Sequence, residues 1–261
     1  QLSDLDRLID VRTRLVAVQQ MSNVLGTIHD LTPLIQAAHA VGAKVLVDAA
    51  QSVPHMNVDF QALGCDFLVF SAHKMLGPSG VGVLIADPAL LITMPPFLGG
   101  GAMIKEVFAE HYSWGDLPYR FEAGTPNIEG VIGFGAALSY LEAVGMDAIH
   151  AHELQLTEMA LSQLDEVDGF ELFGPRDLSL RGGILSFNIK GIHAQDLGEL
   201  LDQQGIAIRT GHHCCQPLMR HYGISGMARA SFYLYNTMAE VDALVKGLKR
   251  AQKLIQRAAR R

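Results

Sequence analysis

A carboxylate and an amine each follow a short apolar run. Asp48 stands directly after residues 44–47 (KVLV), and Ser71, Ala72, His73 and Lys74 stand directly after residues 66–70 (DFLVF). Runs of this kind read as strands covered on both faces. In an open α/β sheet, ligands gather beyond the carboxyl ends of the strands. A lysine placed there can form a Schiff base, and an aspartate can keep a pyridine nitrogen protonated. Together they meet the needs of pyridoxal phosphate acting as an electron sink. Ser71 and His73 add hydrogen-bond donors for a phosphate. Alone, the aspartate reads as a turn or cap residue and the lysine as a solvated side chain. The pair, followed by the turn Gly77-Pro78-Ser79-Gly80, favours the cofactor. The chain has no G-x-x-x-x-G-K-[ST] loop and no dinucleotide fingerprint after a strand.

A second reactive group lies far along the chain. Arg209-Thr210-Gly211-His212-His213-Cys214-Cys215 follows the apolar run 206–208. A cysteine beside histidine and near an arginine sits where positive charge favours the thiolate, the nucleophilic form. The alternatives are a buried inert thiol and a metal site. Zinc sites usually separate their ligands by two or more residues, so contiguous His-His-Cys-Cys is poorly spaced and no metal is expected. Arg229, on the next strand-like run (228–235), carries a guanidinium fork suited to a carboxylate, with a structural salt bridge as its ordinary reading.

The elements that must position these groups fall into two sets. Residues 14–20 are strand-like, and Thr32-Pro33 opens a helix through Ala40, with Thr32 as cap, Pro33 at the first helical position and Gly42 as the stop. Strands follow at 44–47, 66–70 and 81–86. This alternation predicts an α/β sheet with parallel strands. A Pro/Gly loop at 95–102 and an irregular aromatic stretch at 110–127 lead to two long helices, Ile128–Val144 and Met146–Leu164. After Gly174-Pro175 come a strand at 183–189, a helix at 194–204, strands at 206–209 and 228–235, and a helix over Met238–Ala258. The expected organisation is a large α/β domain with its following helices over residues 1–164, and a smaller α+β domain over 165–261.

Composition limits the partners. The chain has 261 residues, 49% apolar and 18% charged, with 26 Gly and 10 Pro. This suits a globular protein with a core and excludes a disordered tail, a coiled coil and a collagen-like rod. A net charge of −7 disfavours a nucleic-acid partner. The basic residues Lys249, Lys253, Arg257, Arg260 and Arg261 read as a solvated helix face. The longest apolar stretches, 81–86, 90–94 and 131–141, fall short of the ~20 residues a membrane span needs, so no membrane partner is expected. Residues 1–10 show no basic leader. Three cysteines, Cys65, Cys214 and Cys215, make no disulfide framework and point to a reducing, cytoplasmic setting.

Six segments carry a family resemblance: SNVLGT (22–27), VDAAQSV (47–53), SAHKMLGPSGVG (71–82), RFEAGTPN (120–127), RTGHHCCQPLM (209–219) and ARASFYLYNT (228–237). They resemble the SufS/CsdA-type cysteine desulfurases, class V aminotransferase relatives with the fold-type I architecture of pyridoxal-phosphate-dependent transferases. The R-x-G-H-H-C segment is the discriminating one. The resemblance implies that Lys74 carries the Schiff base and moves protons. It implies that Asp48 pairs with the pyridinium nitrogen, Gln51 contacts the ring oxygen, and Ser71 and His73 bind the phosphate. Thr125 would reach the phosphate of a partner subunit, making a homodimer with shared sites. Asn23 and Arg229 would bind the substrate carboxylate, with Arg209 beside the active site. Cys214 would be the nucleophile, taking sulfur from L-cysteine as a persulfide and leaving L-alanine. A sulfur-acceptor protein of the SufE or SufU type would then collect the sulfur for iron–sulfur cluster assembly. Cys215 departs from the family, which usually has Ala there.

Members of the family begin with a further segment that bears a Gly/Thr-rich phosphate turn and a histidine stacked on the pyridine ring. Neither is present in this sequence, so the isolated 261-residue chain is expected to bind pyridoxal phosphate weakly and to turn over little cysteine. The competing functional readings are a selenocysteine lyase acting on L-selenocysteine and an inactive truncated remnant.

Overall fold

A computed structural model describes residues 4–258 as two compact units. One comprises the chain up to Val18, Leu31–Ala50 and Val58–Ala143. The other comprises Gln19–Asp30, Gln51–Asn57 and the chain from Val144.

The first unit contains, in chain order, α1 (Leu5–Leu8), β1 (Leu15–Gln19), α2 (Thr32–Ala40), β2 (Lys44–Asp48), α3 (Phe60–Leu63), β3 (Phe67–Ser71), β4 (Gly82–Ala86), α4 (Pro88–Thr93), β5 (Ile104–Val107), β6 (Tyr112–Trp114) and α5 (Ile128–Val144). Strands β1 to β4 form one sheet in that order, and β5 and β6 form a hairpin. The helix α2 begins at Thr32 itself, with Leu31 at the N-cap position. Strands β2 and β3 are parallel, with Asp48 opposite Val69. Strand β4 is antiparallel to β3, so the expectation of parallel strands fails at this edge. The reason is length: residues 72–81 are too few for the crossover of a dozen or more that a parallel pair needs. The crossover through α3 is well punctuated. Asp59 caps its start by accepting from the Gln61 and Ala62 amides at 2.8 and 3.0 Å, and Gly64 ends it at φ +72°. At the far end of the sheet, the Asp66 carboxylate accepts from Val45 N at 2.8 Å and Lys44 Nζ at 2.9 Å, and pairs with His39 Nε2 at 2.8 Å. Burial raises the Asp66 carboxyl, but these partners outweigh it and hold it below the usual range.

The second unit contains α6 (Met146–Leu164), β7 (Phe170–Phe173), β8 (Ile184–Ile189), α7 (Ala194–Asp202), β9 (Arg209–Gly211), α8 (Gln216–Tyr222), β10 (Met227–Ser231) and α9 (Met238–Ala258). Its sheet runs β7-β8-β10-β9, antiparallel throughout. The helix α6, read from sequence with the large domain, belongs to this unit's core. Leu156, Ala160 and Leu164 of α6 meet Leu185 and Phe187 of β8, and Val241, Leu244 and Leu248 of α9. The spacing of three and four residues along each helix puts these side chains on one face.

Two strand expectations shift here. The ladder expected at 206–209 is formed by Arg209–Gly211. Residues 205 and 206 still close the end of α7, with Gly205 at φ +73° and Ile206 N donating to Leu201 O at 3.0 Å, while Ile206 and Ile208 pack on the core. Their apolar character serves packing, not pairing. The strand expected at 228–235 ends at Ser231, because Tyr233 N donates to Asn236 Oδ1 and turns the chain. Strand β7, helix α8 and the β5–β6 hairpin were not read from the sequence. On α9, Lys249 pairs with Glu166 at 3.0 Å, and Lys253 and Arg257 are exposed. Arg260 and Arg261 lie outside the described residues. Among the described residues, no single helix is long and apolar enough to cross a membrane.

Candidate active site

In the first unit, Asp48 is the last residue of β2 and Ser71 the last of β3, so both stand at the same edge of the parallel pair. Ala49 N donates to Val69 O at 2.9 Å and fixes the chain just beyond Asp48. The Asp48 carboxylate is exposed, and its Oδ1 accepts the Ala50 amide at 2.9 Å. Ala72–Lys74 is a single 3₁₀ turn. Its anchor is buried Ala72, which donates to Val81 O at 3.0 Å and accepts from Met75 N at 2.8 Å and Gly77 N at 2.9 Å. Gly77 must be glycine for this closure, since a Cβ there would lie 2.7 Å from Phe134 Cδ2 and 2.9 Å from Ala72 O. The turn therefore holds Lys74, half-buried, and His73, exposed, in a fixed place beyond β3. Thr125 is exposed, next to Gly124 at φ +87°. Asn127 Nδ2 donates to Gly80 O at 3.4 Å, and its Oδ1 accepts from Gly130 N at 3.0 Å at the start of α5.

In the second unit, Cys214 is exposed on a turn where His213 has φ +52° and Cys214 has φ +62°. Two consecutive non-glycine residues in the left-handed region cost about 1–2 kcal/mol each, so the surroundings must hold them. Cys215 N donates to His212 O at 2.9 Å across the turn. His213, only 2% exposed, donates from Nε2 to Met227 O at 3.0 Å. Asn23 Nδ2 donates to His213 O at 2.9 Å, and Arg229 Nη1 donates to Asn23 O at 2.6 Å. The Asn23 loop is in turn held by Ser186 Oγ, which donates to Val24 O at 2.5 Å, and by the fully buried Arg181. The Arg181 guanidinium donates to Ile184 O at 2.5 Å, Leu25 O at 3.5 Å and Pro175 O, and burial drives its pKa down to about 10.

The electrostatics of this second-unit cluster come from arginines. Arg209 Nη2 lies 3.6 Å from Cys214 Sγ, a cation placed to stabilise negative charge on sulfur. Arg209 and Arg229 stand directly opposite each other on β9 and β10. Like charges so paired repel. Burial first, and then Arg209, pull the Arg229 pKa below its usual value. Such a pair is relieved by an anion, as a substrate carboxylate would provide. His213, expected from sequence to add positive charge beside the thiol, is instead neutral. Burial first, and then Arg229, press its pKa down from 6.5 to about 4. The sequence showed two adjacent histidines but not that this one points inward.

That depression has a measurable sign. Between about pH 6.5 and pH 4, the unfolded chain binds a proton at residue 213 that the folded chain refuses. Stability therefore rises with pH across this window and is lost as pH falls through it. The drop in urea midpoint from about pH 7 to about pH 4.5 is expected to be smaller in His213→Gln than in the parent protein.

Cys215 packs beside Leu25, Leu218 and Ile224 against the buried cluster Val24, Phe173, Met219 and Met227. It behaves as a small apolar side chain under the turn. Cys215→Ala is expected to leave sulfur loading of Cys214 unchanged and to cost less than about 1 kcal/mol. In the parent protein, iodoacetamide should modify Cys214 well before Cys215, as peptide mapping would show.

Gln51 is half-buried at the head of the second unit's segment Gln51–Asn57. That segment is pinned by His55 Nδ1, which lies 2.9 and 3.0 Å from the two oxygens of Glu153 on α6. Burial pushes the Glu153 carboxyl up, against the opposing pull of His55.

The first unit's residues fit pyridoxal phosphate. An exposed carboxylate and an amine on an anchored turn end two neighbouring parallel strands, and a hydroxyl and an imidazole stand beside them. The class-V aminotransferase family model matches residues 1–244. A cysteine desulfurase of Dickeya dadantii (strain 3937) is 54% identical over 255 residues, covering 97% of this chain and 61% of the relative. A cysteine desulfurase of Escherichia coli O8 (strain IAI1) is 52% identical over 256 residues, covering 98% and 62%. The crystal structure of the Escherichia coli cysteine desulfurase CsdA, in its S-sulfonic acid form, matches with a TM-score of 0.93 at 41% identity, covering 97% of this chain and 63% of that one. The chain thus spans about three fifths of the length of these relatives. The strand-end lysine and aspartate, the left-handed cysteine turn and these matches together place the chain in the class-V aminotransferase family.

Proposed function

We propose that this chain supplies cofactor-binding and sulfur-transfer residues of a pyridoxal-phosphate-dependent cysteine desulfurase, which converts L-cysteine to L-alanine and holds the sulfur as a persulfide on Cys214. The observation that carries this reading is the exposed Cys214 sulfur 3.6 Å from Arg209, on a turn braced by Asn23 and His213. An aminotransferase would not need such a thiol.

When bound, pyridoxal phosphate supplies an electron sink for charge developing at the substrate Cα. Asp48 holds a proton on the ring nitrogen, Gln51 orients the ring oxygen, and Ser71 and His73 bind the phosphate. Lys74 Nζ removes the proton from the substrate Cα and returns protons to carbon. Arg229 and Asn23 grip the substrate carboxylate. The Cys214 thiolate attacks the sulfur of L-cysteine: a sulfur–sulfur bond forms, the carbon–sulfur bond breaks, and its electron pair stays with carbon, which takes up a proton to give alanine.

The working enzyme is a homodimer in this reading. Exposed Thr125 lies near a run of uncovered apolar side chains, with Ile128, Val131 and Ile132 at 57%, 55% and 70% exposure, which a second copy would cover. The compact Cys214 turn calls for a mobile acceptor protein of the SufE or SufU type, feeding iron–sulfur cluster assembly in the cytoplasm. Intact-mass spectrometry of the full gene product after L-cysteine treatment tests the proposal: one added sulfur, about 32 Da, should map to Cys214. Sulfur mapping elsewhere, or nowhere, overturns it.

A further inference from the structure

We infer that His213 is a positioning residue for sulfur transfer: its imidazole is a buried strut that keeps the left-handed turn closed and Cys214 Sγ against Arg209. The inference rests on the reading of Cys214 as the nucleophile. Met227 O can only accept, so the hydrogen bond at 3.0 Å fixes the proton on Nε2. Nδ1 is then a bare acceptor, buried and without a partner among the described residues. Such an arrangement is expensive unless the ring serves the backbone. What it serves is visible in the turn. His213 and Cys214 occupy positive φ in succession, and the ring ties the first of them to β10. Its backbone carbonyl is tied on the other side by Asn23, whose own carbonyl is held by Arg229. The ring is neutral, pressed there by burial and by Arg229, with Arg209 and His212 adding to the effect. It therefore braces without competing with Arg209 for the anion on sulfur.

Three variants of the full gene product separate brace from backbone. Ala removes the donor. Asn suits the left-handed region but is too short to reach Met227 O. Gln carries an amide N–H at about the reach of Nε2. For His213→Ala and His213→Asn, kcat for alanine release from L-cysteine should fall about tenfold to a hundredfold with KM within about twofold, the scale of a misplaced reacting group. Their curves of Cys214 alkylation by iodoacetamide against pH should move to higher pH, and His213→Gln should restore both measurements. The inference is overturned if the Asn variant matches the parent or if Gln fails as fully as Ala. If Ala unfolds, the Asn and Gln pair still decides. If the parent itself forms no persulfide, the desulfurase reading fails, and the alkylation curves alone judge the strut.

Discussion

Lys74→Ala in the full gene product is expected to reduce alanine release from L-cysteine by about 10⁴-fold, the upper range for loss of a positioned acid–base group. The residue's setting explains the size. The 3₁₀ turn Ala72–Lys74 is anchored through buried Ala72 and closed by Gly77 against Phe134, so the amine is delivered to one place beyond β3. Its neighbour His73 is exposed on the same turn but cannot form a Schiff base. Borohydride reduction of the loaded protein followed by peptide mapping gives a readout separate from turnover. The reduced cofactor should sit on Lys74 in the parent and on no peptide of the variant. Label on Lys44 or Lys105 would sink the assignment.

Cys214→Ala is expected to lower alanine release from L-cysteine by about 10³-fold or more, because removing a nucleophile leaves only binding and orientation. The same variant should keep its activity on L-selenocysteine, whose selenium leaves more readily without attack by a thiolate. Loss on both substrates would mean that Cys214 supports the structure rather than the chemistry. Retention on both would mean that the thiol is idle.

Much of the first unit's residue cluster was legible because its members sit at the ends of short apolar runs, a local pattern. Asp48 and Ser71 prove to be the last residues of their strands, and Lys74 the end of the turn that follows. The long helices Ile128–Val144, Met146–Leu164 and Met238–Ala258 were readable for the same reason, since the patterns that mark them are local, with Gly145 separating the first two. The second unit's sulfur-bearing cluster was legible only as a list of residue types. That His213 turns inward, that Arg209 faces Arg229, and that Asn23 braces the turn all depend on partners far away in sequence. The apolar run 206–209 misled because Ile206 and Ile208 are apolar for the core and not for a ladder. The hairpin Ile104–Val107 with Tyr112–Trp114 was missed because its strands are short and broken by a register shift.

The bracing of the Cys214 turn also sets an order of assembly during synthesis. Asn23 leaves the ribosome well before its bonding partners His213 and Arg229, which lie 190 and 206 residues further on. Contacts of such separation are slow to close and dominate folding time. The nascent chain therefore carries an unfinished nucleophile cradle until β10 emerges, and a ribosome stalled before Arg229 would release a polypeptide with its cysteine unharnessed.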